Sequence, residues 1–189
     1  KRKVDTMGMR FEKEIFGELM ETIHEVSRED TESLKDNLER ANRIFITGAG
    51  RAGLMMKCFA MRLMHLGYQV NVVGEIVTTS IQPGDLLVIG SGSGETEGNI
   101  ILAKRVKAKG IPVILISTNK ESTLAQLADI TVILKAPTKR PDNTVQTVQP
   151  MGNRFEQSLL LYTDMVIMEL MEIKHMTTEL MRKNHTNLE

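Results

Sequence analysis

The sequence predicts an α/β fold, a doubly wound parallel sheet of about five strands with helices on both faces. Two observations carry this. Short apolar runs rich in Val, Ile and Leu, at residues 43–47, 86–90, 111–116 and 130–134, with a shorter strand at 69–73, suit strands of a sheet buried on both faces. Stretches of helical periodicity lie between them, so strand and helix alternate along the chain. A third observation concerns function: two of the runs empty into loops of glycines and hydroxyls. Residues 1–42 are expected to form N-terminal helices, and residues 43–189 one structural unit with a C-terminal helical tail.

In residues 10–27, Phe11, Ile15, Phe16, Leu19, Met20, Ile23 and Val26 fall on one face of an amphipathic helix. Ser27 or Asp30 can cap a second helix reaching about residue 41, with Leu34 and Leu38 facing inward. Such a helical hairpin either covers the sheet or packs on a partner subunit, and the pattern leaves both open. After the strand at 43–47, Gly48-Ala49-Gly50-Arg51-Ala52-Gly53 turns the chain into a helix. The spacing of Gly48, Gly50 and Gly53 fits a dinucleotide fingerprint, but the acidic residue wanted about 20 residues further on is displaced to Glu75. Arg51 suits a small anionic ligand, because a guanidinium forks onto phosphate or carboxylate. A salt bridge from Arg51 to an acidic neighbour is the weaker alternative in so glycine-rich a setting.

A short strand at 69–73, a polar loop and the turn Pro83-Gly84-Asp85 lead to Leu86-Leu87-Val88-Ile89-Gly90. This strand opens into Ser91-Gly92-Ser93-Gly94-Glu95-Thr96, followed by a helix to about Lys109 with Gly110 at its C-terminus. Strand, small-residue loop and helix N-terminus form an anion site: glycines let backbone N–H groups approach, the helix end is partly positive, and hydroxyls add donors. No Gly-Lys-Ser/Thr follows, so it is not a P-loop, and Gly98 falls too late for a second dinucleotide fingerprint, one position beyond its place after Gly92 and Gly94. The bland alternative is a flexible turn, but Ser91, Ser93, Glu95 and Thr96 within six residues favour a ligand.

Beyond the strand at 111–116, Ser122 can cap a short helix through Ala128, before the last strand at 130–134. Residues 136–149, rich in Pro, Lys, Thr and Asn, read as a mobile linker or lid. A long helix then carries the stripe Phe155, Leu159, Tyr162, Val166 and Leu170, widened by Leu160, Leu161 and Ile167 until it looks nearly buried. Glu156 in that setting is either a proton-transfer group whose pKa burial raises, or an idle acid favourable to the helix dipole; the pattern leaves both open. A final short helix and His185 fall within residues 177–189.

Composition removes several classes of function. With 24 basic and 24 acidic residues there is no electrostatic footprint for nucleic acid or an anionic membrane, and an aromatic-poor chain offers little for base stacking. No apolar run approaches the roughly 18–20 residues of a membrane span. Lys1-Arg2-Lys3 lacks the apolar stretch of a signal peptide after it. The single Cys58 excludes an internal disulfide and a thiolate metal cluster, suits a reducing cytoplasm, and is expected to be buried and inert. Met9, Met20, Met55, Met61 and Met64 are expected as core filler, and His24 and His65 as packing or surface residues.

Together these motifs resemble the sugar isomerase (SIS) domain family. Gly48-Ala49-Gly50-Arg51 and Gly90-Ser91-Gly92-Ser93-Gly94-Glu95-Thr96 are similar to its two phosphosugar loops. Phe59-Ala60-Met61-Arg62-Leu63-Met64-His65-Leu66-Gly67, Val73-Gly74-Glu75, Gln149-Pro150-Met151-Gly152 with Phe155-Glu156, and Asn184-His185-Thr186-Asn187-Leu188 resemble the hexulose phosphate isomerases within it. The resemblance implies an SIS fold from about residue 43. It implies interconversion of D-arabino-hex-3-ulose 6-phosphate and fructose 6-phosphate through an enediol, within the ribulose monophosphate pathway of formaldehyde fixation. No metal or organic cofactor is implied. Glu156 matches the family's base, and His185, reaching a neighbouring subunit's site, matches a second acid/base. Gly50, Arg51, Ser91, Gly92, Ser93 and Thr96 match the substrate-binding positions. A cytoplasmic homo-oligomer, a tetramer by preference, is implied, without nucleic acid or membrane partners. One departure is Ala52, where the family usually carries serine. Two alternatives remain: a pentose 5-phosphate aldose–ketose isomerase, and a non-catalytic phosphosugar-sensing module. The absence of a second, regulatory repeat weighs against the former; the absence of a helix-turn-helix segment and of a basic excess weighs against the latter.

Overall fold

The computed structural model describes residues 9–138 and 145–188. Strands β1 (Ile44–Gly48), β2 (Val70–Val72), β3 (Leu86–Gly90), β4 (Val113–Ser117) and β5 (Ile130–Ile133) form one parallel sheet in the order β2-β1-β3-β4-β5. Ile44 stands opposite Leu86, and Gly48 opposite Gly90, so β1 and β3 end level with each other. The chain moves outward from β1 to β2, crosses back to β3 and continues to β5. The loops after β1 and β3 therefore leave to opposite sides and open a crevice at the carboxyl ends of these two strands.

Alternate residues of each strand feed two cores. Ile44, Ile46, Leu86, Val88, Ile114 and Ile116 face one side, where α2 (Arg28–Arg40), α3 (Gly50–His65) and α6 (Asn153–Ile173) cover them. Phe45, Leu87, Ile89, Val113 and Leu115 face the other, against Ala103 and Val106 of α4 (Glu97–Lys107) and Leu124 of α5 (Thr123–Leu127). The expected caps form. The Ser27 hydroxyl accepts from Asp30 N at 3.2 Å, and the Ser122 hydroxyl from Ala125 N at 3.3 Å, each worth about 1 kcal/mol. Helix α1 (Glu12–His24) lies along α6, and the short α7 (Thr178–Arg182) follows at the C-terminal side. No helix of the described residues is long and apolar enough to cross a membrane.

Several expectations need correction. Of the apolar face read on α1, only Leu19 is buried, whereas Phe11, Phe16 and Met20 are exposed. Met9, Met61 and Met64 also stand in solvent and Met55 is only partly covered, so these methionines do not fill the core; Met56 does. Helix α6 is buried along one side only, since Leu161, Met165 and Met168 are exposed. Cys58 is half-buried. His65 is buried and His24 exposed. The linker read at 136–149 is in part a well-anchored segment: Ala136, Pro137 and Gln149 are buried, while residues 139–144 lie outside the described residues, as do residues 1–3.

Candidate active site

A cavity of about 350 Å³ opens at the crevice between β1 and β3, within the size range of small-ligand sites. Its floor is the first glycine loop. A Cβ on Gly53 would stand 2.6 Å from the carbonyl oxygen of Gly48, so only glycine lets α3 start this close to β1. Gly50 and the buried Ala52 face the cavity.

One wall is the loop after β3. Gly94 has φ +65°, and a side chain there would run into Ser122, so the turn requires glycine. Side chains hold the loop from behind: Ser117 Oγ and Thr118 Oγ1 donate to Gly92 O at 3.1 and 2.9 Å. Glu95 Oε1 accepts from Thr123 N at 2.8 Å, which ties Glu95 to α5. Ser91 Oγ and Thr96 Oγ1 lie 3.3 Å apart, and Ser93 Oγ accepts from Glu95 N. Ser91, Gly92, Ser93 and Thr96 all line the cavity, with Thr96 as N-cap of α4. The first N–H groups of α4 have no intrahelical acceptor, so this wall presents hydroxyls and a helix N-terminus together, an environment for a dianionic phosphate.

The opposite wall is the first turn of α6. Phe155 packs on Gly92, where a Cβ would come within 2.9 Å of the ring. Glu156 is 5% exposed, and its Oε2 accepts from Arg51 Nη1 at 3.0 Å; Arg51 also bonds Asn153 Oδ1. The ion pair that the sequence reading ranked below an anionic ligand for Arg51 is therefore made. It supplies the countercharge that a buried carboxylate needs. Arg51 remains 42% exposed in its side chain, so the residue that fixes Glu156 is still open to solvent.

His185 does not line this cavity. Its ring stacks on His65, with centroids 5.2 Å apart, in a second hollow of about 410 Å³ that includes Arg62, Asp164 and Arg182. Burial pushes the His65 pKa below its ordinary value, helped by the charges of Arg62 and His185. The structure thus brings Gly50, Ser91, Gly92, Ser93, Thr96 and Glu156 to one cavity, joins Arg51 to them through Glu156, and leaves His185 of the same chain elsewhere. Sequence reasoning missed Pro137 and Thr138, which also line the cavity. They follow β5, and the rule that ligands bind beyond the carboxyl ends of parallel strands was the available signal. Among the described residues no group of three or more His, Cys, Asp or Glu is arranged to hold a metal ion.

The SIS domain profile matches residues 37–168, which includes both glycine loops, Glu156 and most of α6. The chain belongs to the SIS domain family. A 3-hexulose-6-phosphate isomerase of Bacillus subtilis is 43% identical over 177 residues, covering 93% of this chain and 96% of the relative. One from Methylomonas aminofaciens is 38% identical, covering 95% and 99%. A crystal structure from Methanococcus jannaschii, for which the function of 3-hexulose-6-phosphate isomerase was inferred, superposes with TM-score 0.82 at 34% identity, covering 96% of this SIS chain and all of that one.

Proposed function

We propose that this SIS-family enzyme is a 3-hexulose-6-phosphate isomerase, interconverting D-arabino-hex-3-ulose 6-phosphate and fructose 6-phosphate. The observation that carries the reading is the placement of a buried carboxylate, Glu156, across one cavity from the hydroxyl loop Ser91–Thr96, in a chain matched nearly end to end by enzymes of that name. Moving a carbonyl from C3 to C2 requires a proton to leave C2 and return at C3 through a 2,3-enediol, and a proton to pass between the two oxygens. No net oxidation occurs. Ser91, Ser93, Thr96 and the first turn of α4 hold the phosphate, with Gly50 and Gly92 giving the backbone room to approach. Glu156 is the base that carries the carbon proton. Arg51 has five N–H donors, enough to keep Glu156 in place and still meet the oxygen that becomes negative in the enediolate.

His185 serves as the second acid/base from a neighbouring subunit, because its own chain holds it in a separate hollow. The exposed apolar residues of α3 and α6, among them Met61, Leu161 and Met168, supply faces for that assembly, a homotetramer. The reading further places the enzyme in the cytoplasm and in formaldehyde fixation by the ribulose monophosphate route. It treats the N-terminal helices and the unit from residue 43 as one working piece, since α1 and α2 pack directly on α6. The test is an assay of the purified protein with the hexulose 6-phosphate and with pentose 5-phosphates side by side. Turnover of the hexulose phosphate alone is expected, and equal or exclusive turnover of a pentose phosphate overturns the assignment.

A further inference from the structure

Beside the apolar contacts of Leu19, Ile23 and Val26, α1 meets the body of the protein through a second, polar stripe. Glu18, Glu21, Thr22 and Glu25 fall at i, i+3, i+4 and i+7, on one side of the helix. Glu18 accepts three hydrogen bonds from one short segment: Thr147 Oγ1 at 2.6 Å, Val148 N at 2.7 Å and Gln149 Nε2 at 2.9 Å. Burial would raise the Glu18 pKa, but these bonds, with the charge of Arg154, hold it below the ordinary carboxylate value. One turn on, the Thr22 hydroxyl lies 3.0 Å from Lys135 O and accepts from Arg154 Nε at 2.8 Å. Arg154, 4% exposed, also donates to Glu21 Oε2 and to Gln146 O. Glu25 pairs with Lys135 Nζ at 3.0 Å.

These bonds converge on two stretches that border the candidate active site. Lys135 leads into Pro137 and Thr138, and Gln149 leads into Gly152, Phe155 and Glu156, all of them lining the cavity. Arg154 sits immediately before Phe155 and Glu156 in the same helical turn. Glu21 is 63% exposed opposite the buried Arg154, and Lys135 and Glu25 are 62% and 42% exposed, so these ion pairs add little net stability and the face specifies geometry better than it stabilises.

We propose that Glu18 is a positioning residue for the active site, clasping the 147–149 segment to α1 so that the two cavity walls contributed by residues 137–138 and 152–156 keep their spacing. The proposal rests on the isomerase reading for its kinetic test and on geometry alone for its structural one. The phosphate-facing loop, Ser91–Thr96, makes none of these bonds to α1.

The experiment compares wild type, Glu18→Ala and Glu18→Gln. In Glu18→Ala, kcat/KM for the hexulose phosphate should fall about tenfold to a hundredfold, the scale of a small misplacement of reacting groups. Competitive inhibition by inorganic phosphate should stay within about twofold, because its loop is untouched. Glu18→Gln keeps one acceptor oxygen and should recover part of the loss; should Glu18→Ala not fold, Glu18→Gln alone shows the same split in weaker form. Unchanged kcat/KM in the folded variants, or phosphate inhibition weakened by the same factor as kcat/KM, overturns the proposal. If wild type does not turn over the hexulose phosphate, the isomerase reading fails and hydrogen exchange decides the clasp. Faster exchange in the variants confined to the amides of Val148 and Gln149 and their neighbours supports it, and unchanged exchange there overturns it.

Discussion

Replacing Glu156 with glutamine separates chemistry from structure at the proposed base. The amide keeps the size and shape of the carboxylate and still offers a carbonyl oxygen where Arg51 Nη1 now lies at 3.0 Å. It cannot take a proton from carbon. General-base catalysis by a positioned side chain contributes about 10²–10⁴ in rate, which is about 2.7–5.5 kcal/mol of barrier. The cost of the broken ion pair is much smaller, because the substitution removes the buried charge itself and leaves only Arg51, whose side chain is 42% exposed and can be solvated by water. KM should therefore change by less than about fivefold while kcat falls by two to four orders of magnitude. The assay is steady-state turnover of hexulose phosphate with the melting temperature measured in parallel. A kcat within tenfold of wild type would show that Glu156 is not the base. A melting point lowered by more than about 8 °C would show that the side chain is chiefly structural.

Further outcomes follow from the same site. Ser93→Ala should raise KM roughly tenfold by removing one hydroxyl facing a charged phosphate, measured by steady-state kinetics with kcat nearly unchanged. Ala52→Ser, at a buried position on the cavity lining, should keep the fold and lower KM modestly, and a rise in KM would show that the position serves packing. Gly53→Ala should destabilise by about 1–3 kcal/mol, read by thermal melting, because its Cβ meets the Gly48 backbone and neither side can yield. Glu156→Gln chains reassembled with His185→Ala chains should regain part of the wild-type rate; no recovery after proven subunit exchange would place His185 outside the shared site.

What the sequence made legible was local. Strands buried on both faces announce themselves as unbroken apolar runs, and Ser27 and Ser122 announce helix starts because a hydroxyl before a helical pattern has one use there. The glycine loops could be placed because strand, loop and helix are contiguous. What could not be read was every contact between distant residues. Arg51 and Glu156 are 105 positions apart, and Glu18 and Gln149 131, with nothing in either segment to name its partner. Helical period likewise gives the direction of an apolar face but not how far a neighbour covers it. That is why Phe16, Met20 and Met61 were assigned inward and stand outward.

The position of α6 in the chain also shapes how the protein is made. Leu159, Tyr162, Val166, Ile167 and Leu170 complete one of the two cores, yet they are synthesised after every strand of the sheet. Until residue 170 has left the ribosome, the strand residues Ile46, Val88 and Ile114 lack part of their cover, and the emerging sheet has one sticky face. Folding of such a chain is dominated by contacts of long sequence separation, which form slowly and leave intermediates open to aggregation. Truncation within α6, or slowed synthesis ahead of it, should therefore increase chaperone dependence more than an equal disturbance in α4, whose partner strands β3 and β4 are complete by Ser117, ten residues after its end.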